Sequence, residues 1–316
     1  MIKRTLFAAT AMTTVICSAA SAENIGMSMA LFDDNWLTVL RNGTTAYVAG
    51  LDGVDIQVEN AQNDVAKQLD QVKNFIAQGV DAIIVNPVDT SSTQAMTNEA
   101  EAAGVPLVFV NRKPVNLDTL PDNQAVVASD EAESGTLEAF EVCKELRAQG
   151  KNAGARIYIM MGELQTQSAV QRTKDVHDVI GMDMCNFITV VDEQTANYQR
   201  GEAQDLMTNW LSAGEPFDAV ISNNDEMAIG AIQAMKAAGI PMDDVIVAGV
   251  DATQDALLSM ASGELDVTVF QDAVGQGTGA VDAALALARG EEVDRVVWIP
   301  FQLVTPDNMQ QFASEN

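Results

Sequence analysis

The sequence predicts an α/β fold of two doubly wound lobes, each a parallel sheet covered by helices on both faces. Three observations predict it. Short, unbroken apolar runs recur where strands would lie, as parallel strands buried on both faces require. Segments of helical length separate them, and Gly79 and Gly104 stand where two of those helices should end. The alternation halts at a polar stretch, Val115 to Asn123, and then restarts, so each half is large enough for its own sheet and core.

Taken in order, residues 25–31 (IGMSMAL) read as a strand, Trp36 to Ala49 as a helix and 54–58 as a strand. Val65 to Gln78 is a helix, 82–86 (AIIVN) a strand, 92–103 a helix and 107–110 (LVFV) a strand. Beyond the polar stretch, strands fall at 125–128, 156–160 (RIYIM), 187–191, 218–221, 245–250 and 267–270. The helices between them cover 132–148, 169–181, 199–212, 226–238 and 254–262. A helix over 276–289 and the run Val296 to Ile299 are left over. They could complete the first sheet, which makes the chain cross between lobes more than once. No Gly/Ser- or Pro-rich tether joins the halves, so close-set crossings are expected.

The N-terminus reads as an export signal over residues 1–22. Lys3 and Arg4 are basic, Thr5 to Ile16 is uncharged and mostly apolar, and Ala20-Ser21-Ala22 offers a cleavage site. That apolar run is too short to span a bilayer comfortably. Cys17 raises the question of lipidation, but bulky Ile16 sits where a small residue is wanted. Without the leader, 294 residues remain, near the size at which one core divides into two, and the net charge passes from −28 to −30. Such a surface repels phosphate backbones and anionic lipid, which excludes nucleic acid as a partner. It favours a neutral or cationic small ligand, weakly, because local groups outweigh a screened net charge.

Beyond the leader the cysteines are Cys143 and Cys185, and the single histidine is His177, so no Cys/His metal site is expected. In an oxidising compartment the two thiols form one disulfide or stay buried and reduced; spacing does not choose between them. His177 lies in a polar helical stretch, KDVHDV, and reads as solvent-facing.

Ligands of open parallel sheets bind beyond the C-terminal ends of their strands. The informative residues are therefore the polar ones that stop each apolar run. They are Asp33-Asp34-Asn35-Trp36, Asn86 and Asn111-Arg112 in the first half, and Asn223-Asn224-Asp225-Glu226, Asp251 and Gln271-Asp272 in the second. Turn chemistry explains any one of them, and Asn224 and Asp251 could each cap the helix that follows. Asp225-Glu226 reads as first-turn acid facing the helix dipole. Six such ends together suit a sugar or cyclitol. Each ring hydroxyl donates and accepts, Asp accepts, Arg donates as a fork, and Asn or Gln does both. Trp36 and Tyr198 could lie against the C–H faces of the ring. Trp36 alone could equally be core, and either Arg112 or Arg172 could simply pair with surplus carboxylate.

At these strand ends the sequence resembles the periplasmic sugar-binding proteins of bacterial ABC transporters, in the ribose/galactose-like (type I) group. The segments AQNDVAKQLDQVKNFIAQGVDAIIVNPVDT (61–90), NNDEMAIGAIQAMKAAG (223–239) and VAGVDATQDAL (247–257) carry the resemblance, which covers essentially the whole chain after the leader. FDDNW at 32–36, VNRKPVN at 110–116, ISNNDEMAIG at 221–230 and PFQLVTP at 300–306 look most like receptors for myo-inositol and related inositols, including the amino-inositols called rhizopines.

The resemblance implies ligand contacts at Asp34, Trp36, Asn111, Arg112, Arg172, Tyr198, Asn224, Asp251 and Gln271. A second ring-stacking position of the family matches Leu37, which is not aromatic, and ribose-type receptors have Asp-Arg where this chain has Asn111-Arg112. Those departures, with Asp34, disfavour plain ribose, leave room for a six-membered ring, and let Asp34 receive an ammonium group. The family fold is a periplasmic binding protein of type I with a three-strand hinge. Its crossings would fall near Ser129-Asp130, Gln271-Asp272 and Pro300-Phe301. That divides the chain into a leader over 1–22, an N-terminal lobe of 23–129 plus 272–300, and a C-terminal lobe of 130–271 plus 301–316.

The implied function is a periplasmic, monomeric substrate-binding component of an importer. It would capture an inositol by hinge closure, with an aldose such as galactose, ribose or xylose as the alternative. A membrane permease and its ATPase subunit are the implied partners, and a chemoreceptor is a further one. No cofactor is implied, and without a DxDxDG pattern neither is the calcium of galactose-type members. A sugar-processing enzyme fits less well: GxGxxG after the first strand, GxxxxGK and GxSxG are all missing, and Asp33-Asp34 are adjacent rather than poised across a bond. A transcriptional effector domain shares the fold but would follow an N-terminal helix-turn-helix, where this chain has a leader.

Overall fold

The computed structural model describes residues 22–315; the expected leader, apart from Ala22, lies outside them. The first sheet has six parallel strands. They are β1 (Glu23–Met29), β2 (Val54–Asn60), β3 (Ala82–Val85), β4 (Leu107–Val110), β5 (Gln124–Ala128) and β11 (Val296–Trp298), in the order β11-β5-β4-β3-β1-β2. The second has four parallel strands, β6 (Ala155–Met161), β7 (Ile188–Thr195), β8 (Ala219–Ser222) and β9 (Ile246–Ala248), ordered β7-β6-β8-β9. A third, antiparallel pair joins β10 (Thr268–Phe270) to β12 (Gln302–Val304), and single bridges at Ala248–Val267 and Asp251–Phe270 link it to the edge of the second.

The chain therefore passes between the two large sheets three times: between β5 and β6, between β10 and β11, and between β11 and β12. The leftover run at the C-terminal end does complete the first sheet, through β11 beside β5. β12 is absent from the sequence reading, because three residues paired antiparallel leave too short a pattern to register.

Helices α1 (Asn35–Ala49), α2 (Val65–Gln78) and α3 (Thr93–Ala103) follow the first strands, and α9 (Ala273–Ala288) returns to the same sheet. α4 (Glu131–Ala148), α5 (Gln167–Ile180), α6 (Arg200–Ala213), α7 (Asp225–Ala237) and α8 (Gln254–Ala261) serve the second. All but α3 and α6 are capped at their starts by a side chain. Asp64 accepts from the amides of Ala66 and Lys67, and Asp272 from that of Gly275 at 2.6 Å. The cap at Asp272 starts α9 three residues before the sequence suggests, where the glycine-rich AVGQGTG hides the helical period. Gly79 and Gly104 end α2 and α3 in the left-handed conformation, at φ 74° and 70°.

Each lobe buries apolar side chains on both faces of its sheet. In the first, Ile25, Met27, Leu40, Ile84 and Val108 pack on one face, and Phe75, Ile83, Leu107 and Phe109 on the other. In the second, Tyr158, Met207, Trp210 and Met235 oppose a layer of Val142, Leu146, Ile157 and Ile221. Each large side chain so buried stabilises its lobe by about 1.5–3 kcal/mol. Cys143 of α4 is bonded to Cys185 before β7, with Cα atoms 5.8 Å apart. The bond closes a loop of 42 residues, which contributes about 4 kcal/mol in the chain-entropy account. His177 is exposed and meets Glu193.

Candidate functional site

The C-terminal ends of both parallel sheets point into one cleft, and the cleft is shut. On one rim, Asn63 Nδ2 donates to Glu163 Oε1 at 2.8 Å, Arg112 Nη2 to Glu163 Oε2 at 3.4 Å, and the Thr90 amide to Gln165 O at 3.4 Å. On the other, Asn35 Nδ2 donates to Glu226 Oε1 at 3.1 Å. Between the rims lies a cavity with about 360 Å³ of space free of atoms. Asp34, Trp36, Asn111, Arg112, Arg172, Tyr198, Asn224, Asp251 and Gln271 all line it, together with Leu37 and Ser168. The structure thus brings all nine sequence-derived residues to one place, and adds Ser168, whose hydroxyl is one of many in the chain and carries no sequence signal.

The first lobe holds its residues by the turns that end its strands. Asp34 caps α1, its Oδ1 accepting from the Leu37 amide at 2.7 Å. Burial raises its pKa, against the Leu37 hydrogen bond and the charge of Arg112. Trp36 is both core and lining: its ring packs in the first lobe while its Nε1 donates to Gln271 O at 3.0 Å. Asn111 stands at φ 68°, a left-handed conformation Asn tolerates. Its Oδ1 accepts from Asn86 Nδ2 at 3.2 Å, and Asn86 Oδ1 accepts from the Ala30 amide at 3.3 Å. That chain fixes which way the Asn111 amide faces. Arg112 is tied by Nη1 to Pro87 O and Val88 O, at 2.9 and 3.2 Å.

In the second lobe Arg172, one turn along α5, is buried against Glu131. Nε and Nη2 reach Glu131 Oε2 and Oε1 at 2.7 and 3.2 Å, Nη1 reaches Asn223 O at 2.6 Å, and Nη2 also reaches Gln271 Oε1 at 3.3 Å. Burial disfavours its charge, but Glu131 together with Tyr198 and Asp251 outweighs that and its pKa ends raised. Both arginines are therefore carboxylate-paired and cavity-lining at once, so the two sequence readings are not exclusive. α4 and α5 can meet this closely because residue 135 is glycine: a Cβ there would lie 2.5 Å from Arg172 O.

Tyr198, at φ 60°, has its hydroxyl hydrogen-bonded with Ser168 Oγ and Thr166 Oγ1, at 3.1 and 3.3 Å, and burial raises its pKa. Its ring lies over Gly162, where a Cβ would fall 2.1 Å from the ring carbon that bears the hydroxyl. Asn224 caps α7 through Oδ1 on the Met227 amide, 3.1 Å. Asp251 does not cap α8, as its position had suggested; Thr253 does, accepting from Ala256. Asp251 is instead held at φ 126° with its amide on Val269 O, and burial, then the charge of Asp225, raise its pKa. Asp225 is more than first-turn acid: fully buried, it accepts from the Thr253 amide at 2.9 Å and the Thr268 hydroxyl at 2.7 Å, tying α7 to α8 and β10. Among the described residues no cluster of acidic, His or Cys side chains is arranged to hold a metal ion.

Comparison with known proteins places this geometry. The model of the periplasmic binding protein domain matches residues 25–292. A Rhizobium meliloti protein named "Putative rhizopine-binding protein" is 60% identical over 302 residues, covering 96% of each chain. A solved ABC transporter solute binding protein from Bacillus halodurans C-125, with bound myo-inositol, is 41% identical and superposes with a TM-score of 0.87 over 95% of this chain and 100% of that one. The Caulobacter myo-inositol binding protein, bound to myo-inositol, is 27% identical with a TM-score of 0.83 over 94% and 98% of the two chains.

Proposed function

The chain belongs to the periplasmic binding protein family, and from that premise we propose that its ligand is myo-inositol or a closely related inositol. It is an exported, periplasmic receptor of an ABC importer, and it closes around a small polyhydroxylated molecule such as an inositol or a monosaccharide. Its family and fold are those of a receptor that performs no chemistry. Its partners are the membrane permease and ATPase of the importer; docking on a chemoreceptor is a further reading that would use the same closed form.

One observation carries the ligand reading: hydrogen-bonding side chains from the strand ends of both sheets, with two aromatic rings, line a single cavity of about 360 Å³. The reading gives each residue a role. Asp34 and Asp251 accept ring hydroxyls, and Asp34 could take an ammonium group. Arg112 donates through the N–H groups not bound to Pro87, Val88 and Glu163. Arg172, largely occupied by Glu131, Asn223 and Gln271, retains one Nη1–H. Asn111 and Asn224 each have their Oδ1 engaged, so each offers Nδ2. Gln271 brings an amide from the crossing, and Trp36 and Tyr198 cover the ring. A hydroxyl lost or inverted leaves one of these groups unmatched, at about 1–3 kcal/mol.

The lobes proposed for closure are 23–129 plus 272–300 and 130–271 plus 301–316, supported by the three passages of the chain between the large sheets. A panel of myo-inositol, scyllo-inositol, an amino-inositol, ribose, galactose, glucose and xylose tests the ligand by thermal shift and calorimetry. The inositols should raise the melting temperature and bind most tightly. A response to the aldoses with none to the inositols would overturn the proposal.

A further inference from the structure

We propose that Glu163 is a positioning residue that completes the ligand site from the opposite lobe and holds the closed form shut; the inference rests on the ligand-capture reading above. Glu163 stands on the turn after β6, in the second lobe. Its carbonyl accepts from the amide and hydroxyl of Thr166 at 2.9 and 2.7 Å, and Thr166 in turn caps α5, the helix that carries Arg172. The turn is thus rigid with the second lobe's half of the cavity. Its side chain nevertheless serves the first lobe: Oε1 takes Asn63 Nδ2 at 2.8 Å, and Oε2 takes Arg112 Nη2 at 3.4 Å. Arg112 follows β4 of the first sheet and Glu163 follows β6 of the second, so the pair, buried here at 9% and 7% exposure, needs the cleft closed.

The two rims differ in a way that assigns the role. Glu226, at the other rim, already has Arg200 of its own lobe at 2.8 Å on both oxygens, so meeting Asn35 changes its electrostatics little. Glu163 takes its cation from across the cleft. Closure therefore supplies Glu163 with a counter-charge and Arg112 with a third restraint, beyond Pro87 O and Val88 O, on a guanidinium that lines the cavity. The arginine acquires its ligand-ready orientation when the lobes meet. Glu163 thus favours the closed, ligand-holding state and acts on release more than on encounter.

The test is stopped-flow binding of myo-inositol to the mature protein and to its Glu163→Gln, Glu163→Ala and Asn63→Ala variants. Glu163→Gln keeps an acceptor for Asn63 but removes the charge that pairs with Arg112. Dissociation should quicken about 30-fold in Glu163→Gln and Glu163→Ala, and less in Asn63→Ala, with association within about twofold of wild type. The ligand-free melting temperature should fall by less than about 1 °C, because the pair forms in only part of the ligand-free population, whereas a merely structural residue would lower it further. Dissociation within about twofold of wild type, or a parallel fall in ligand-free stability, would overturn the role. If wild type binds none of the inositols or sugars, the ligand reading has failed, and Glu163 is then judged on ligand-free protein. There, solution scattering should show Glu163→Gln more open than wild type, and identical curves would overturn it.

Discussion

Arg172 and Glu131 form a two-pronged ion pair directly beneath the cavity, with Nε–Oε2 at 2.7 Å, Nη2–Oε1 at 3.2 Å and both side chains 4% exposed. The carboxylate keeps the guanidinium charged where burial alone would disfavour it. Glu131→Ala should therefore strand a buried cation and lower the unfolding free energy by about 3–5 kcal/mol. Glu131→Gln, which still accepts one hydrogen bond, should cost less. Urea melts of ligand-free protein measure both, and an alanine variant within about 0.5 kcal/mol of wild type would sink the assignment.

Arg112 differs because its carboxylate partner lies across the cleft. Arg112→Ala should weaken myo-inositol binding by about 2–5 kcal/mol, since it removes a charged donor and leaves Glu163 buried at the closed rim without its cation. Ligand-free stability should hardly change, because in the open form the side chain loses only its bonds to Pro87 and Val88. Calorimetry with unchanged affinity would rule this out, as would a loss of melting temperature matching that of Glu131→Ala.

The contrast shows what a sequence discloses. Strands such as Ile83 to Val85 and Leu107 to Val110 are buried on both faces, and that burial writes itself as an unbroken apolar run. The polar residues that end such runs face the cleft by topology alone, which is why Asp34, Asn111, Arg112, Asn224 and Asp251 could be named from position. Their supports could not. Glu131 looks like any first-turn acid and Glu163 like a loop carboxylate on an acidic surface, while Asn223 shows only as a strand-end residue and not as the carbonyl that receives Arg172. Each is defined by a partner 41 to 100 residues away, and nothing near it in the chain marks the pairing.

Gly162 is a glycine for steric reasons the sequence does not display. Its φ is ordinary, but the Tyr198 ring fills the space a side chain would need, 2.1 Å from a built Cβ. Gly162→Ala should push the ring into the cavity, destabilise the protein by about 1–3 kcal/mol and weaken binding at least tenfold. Tyr198→Phe should lose only the bonds to Ser168 and Thr166, costing stability by about 1 kcal/mol while leaving the ring in place. Affinity falling more in Tyr198→Phe than in Gly162→Ala would contradict the ring-contact role.

Acid should stabilise this protein down to mildly acidic pH. Burial lifts Glu145 to about 7, with repulsion from Asp266 and Glu141 adding to it, and burial lifts Asp175 and Asp266 to about 6. Their ordinary values are 4.5 for Glu and 3.8 for Asp. Between those values and the raised ones the folded chain holds protons that the unfolded chain has released. Stability must therefore fall as pH rises through that window and reach its low plateau near pH 8. Glu23, lowered by its hydrogen bonds to Arg289, acts in the opposite sense, but only below about its ordinary 4.5. The ligand-free melting temperature should thus be higher at about pH 5.5 than at pH 8, and the net charge of −28 works in the same direction. Glu145→Gln isolates the local part, because it removes a charge that burial disfavours, and with it the repulsion from Asp266, without changing shape. Discounted for solvent screening, it should add about 1 kcal/mol at pH 8 and nothing at pH 4, flattening the profile. A melting temperature that stays level or rises from pH 5.5 to 8, or a Glu145→Gln profile parallel to wild type, would show that these buried carboxylates do not set the pH response.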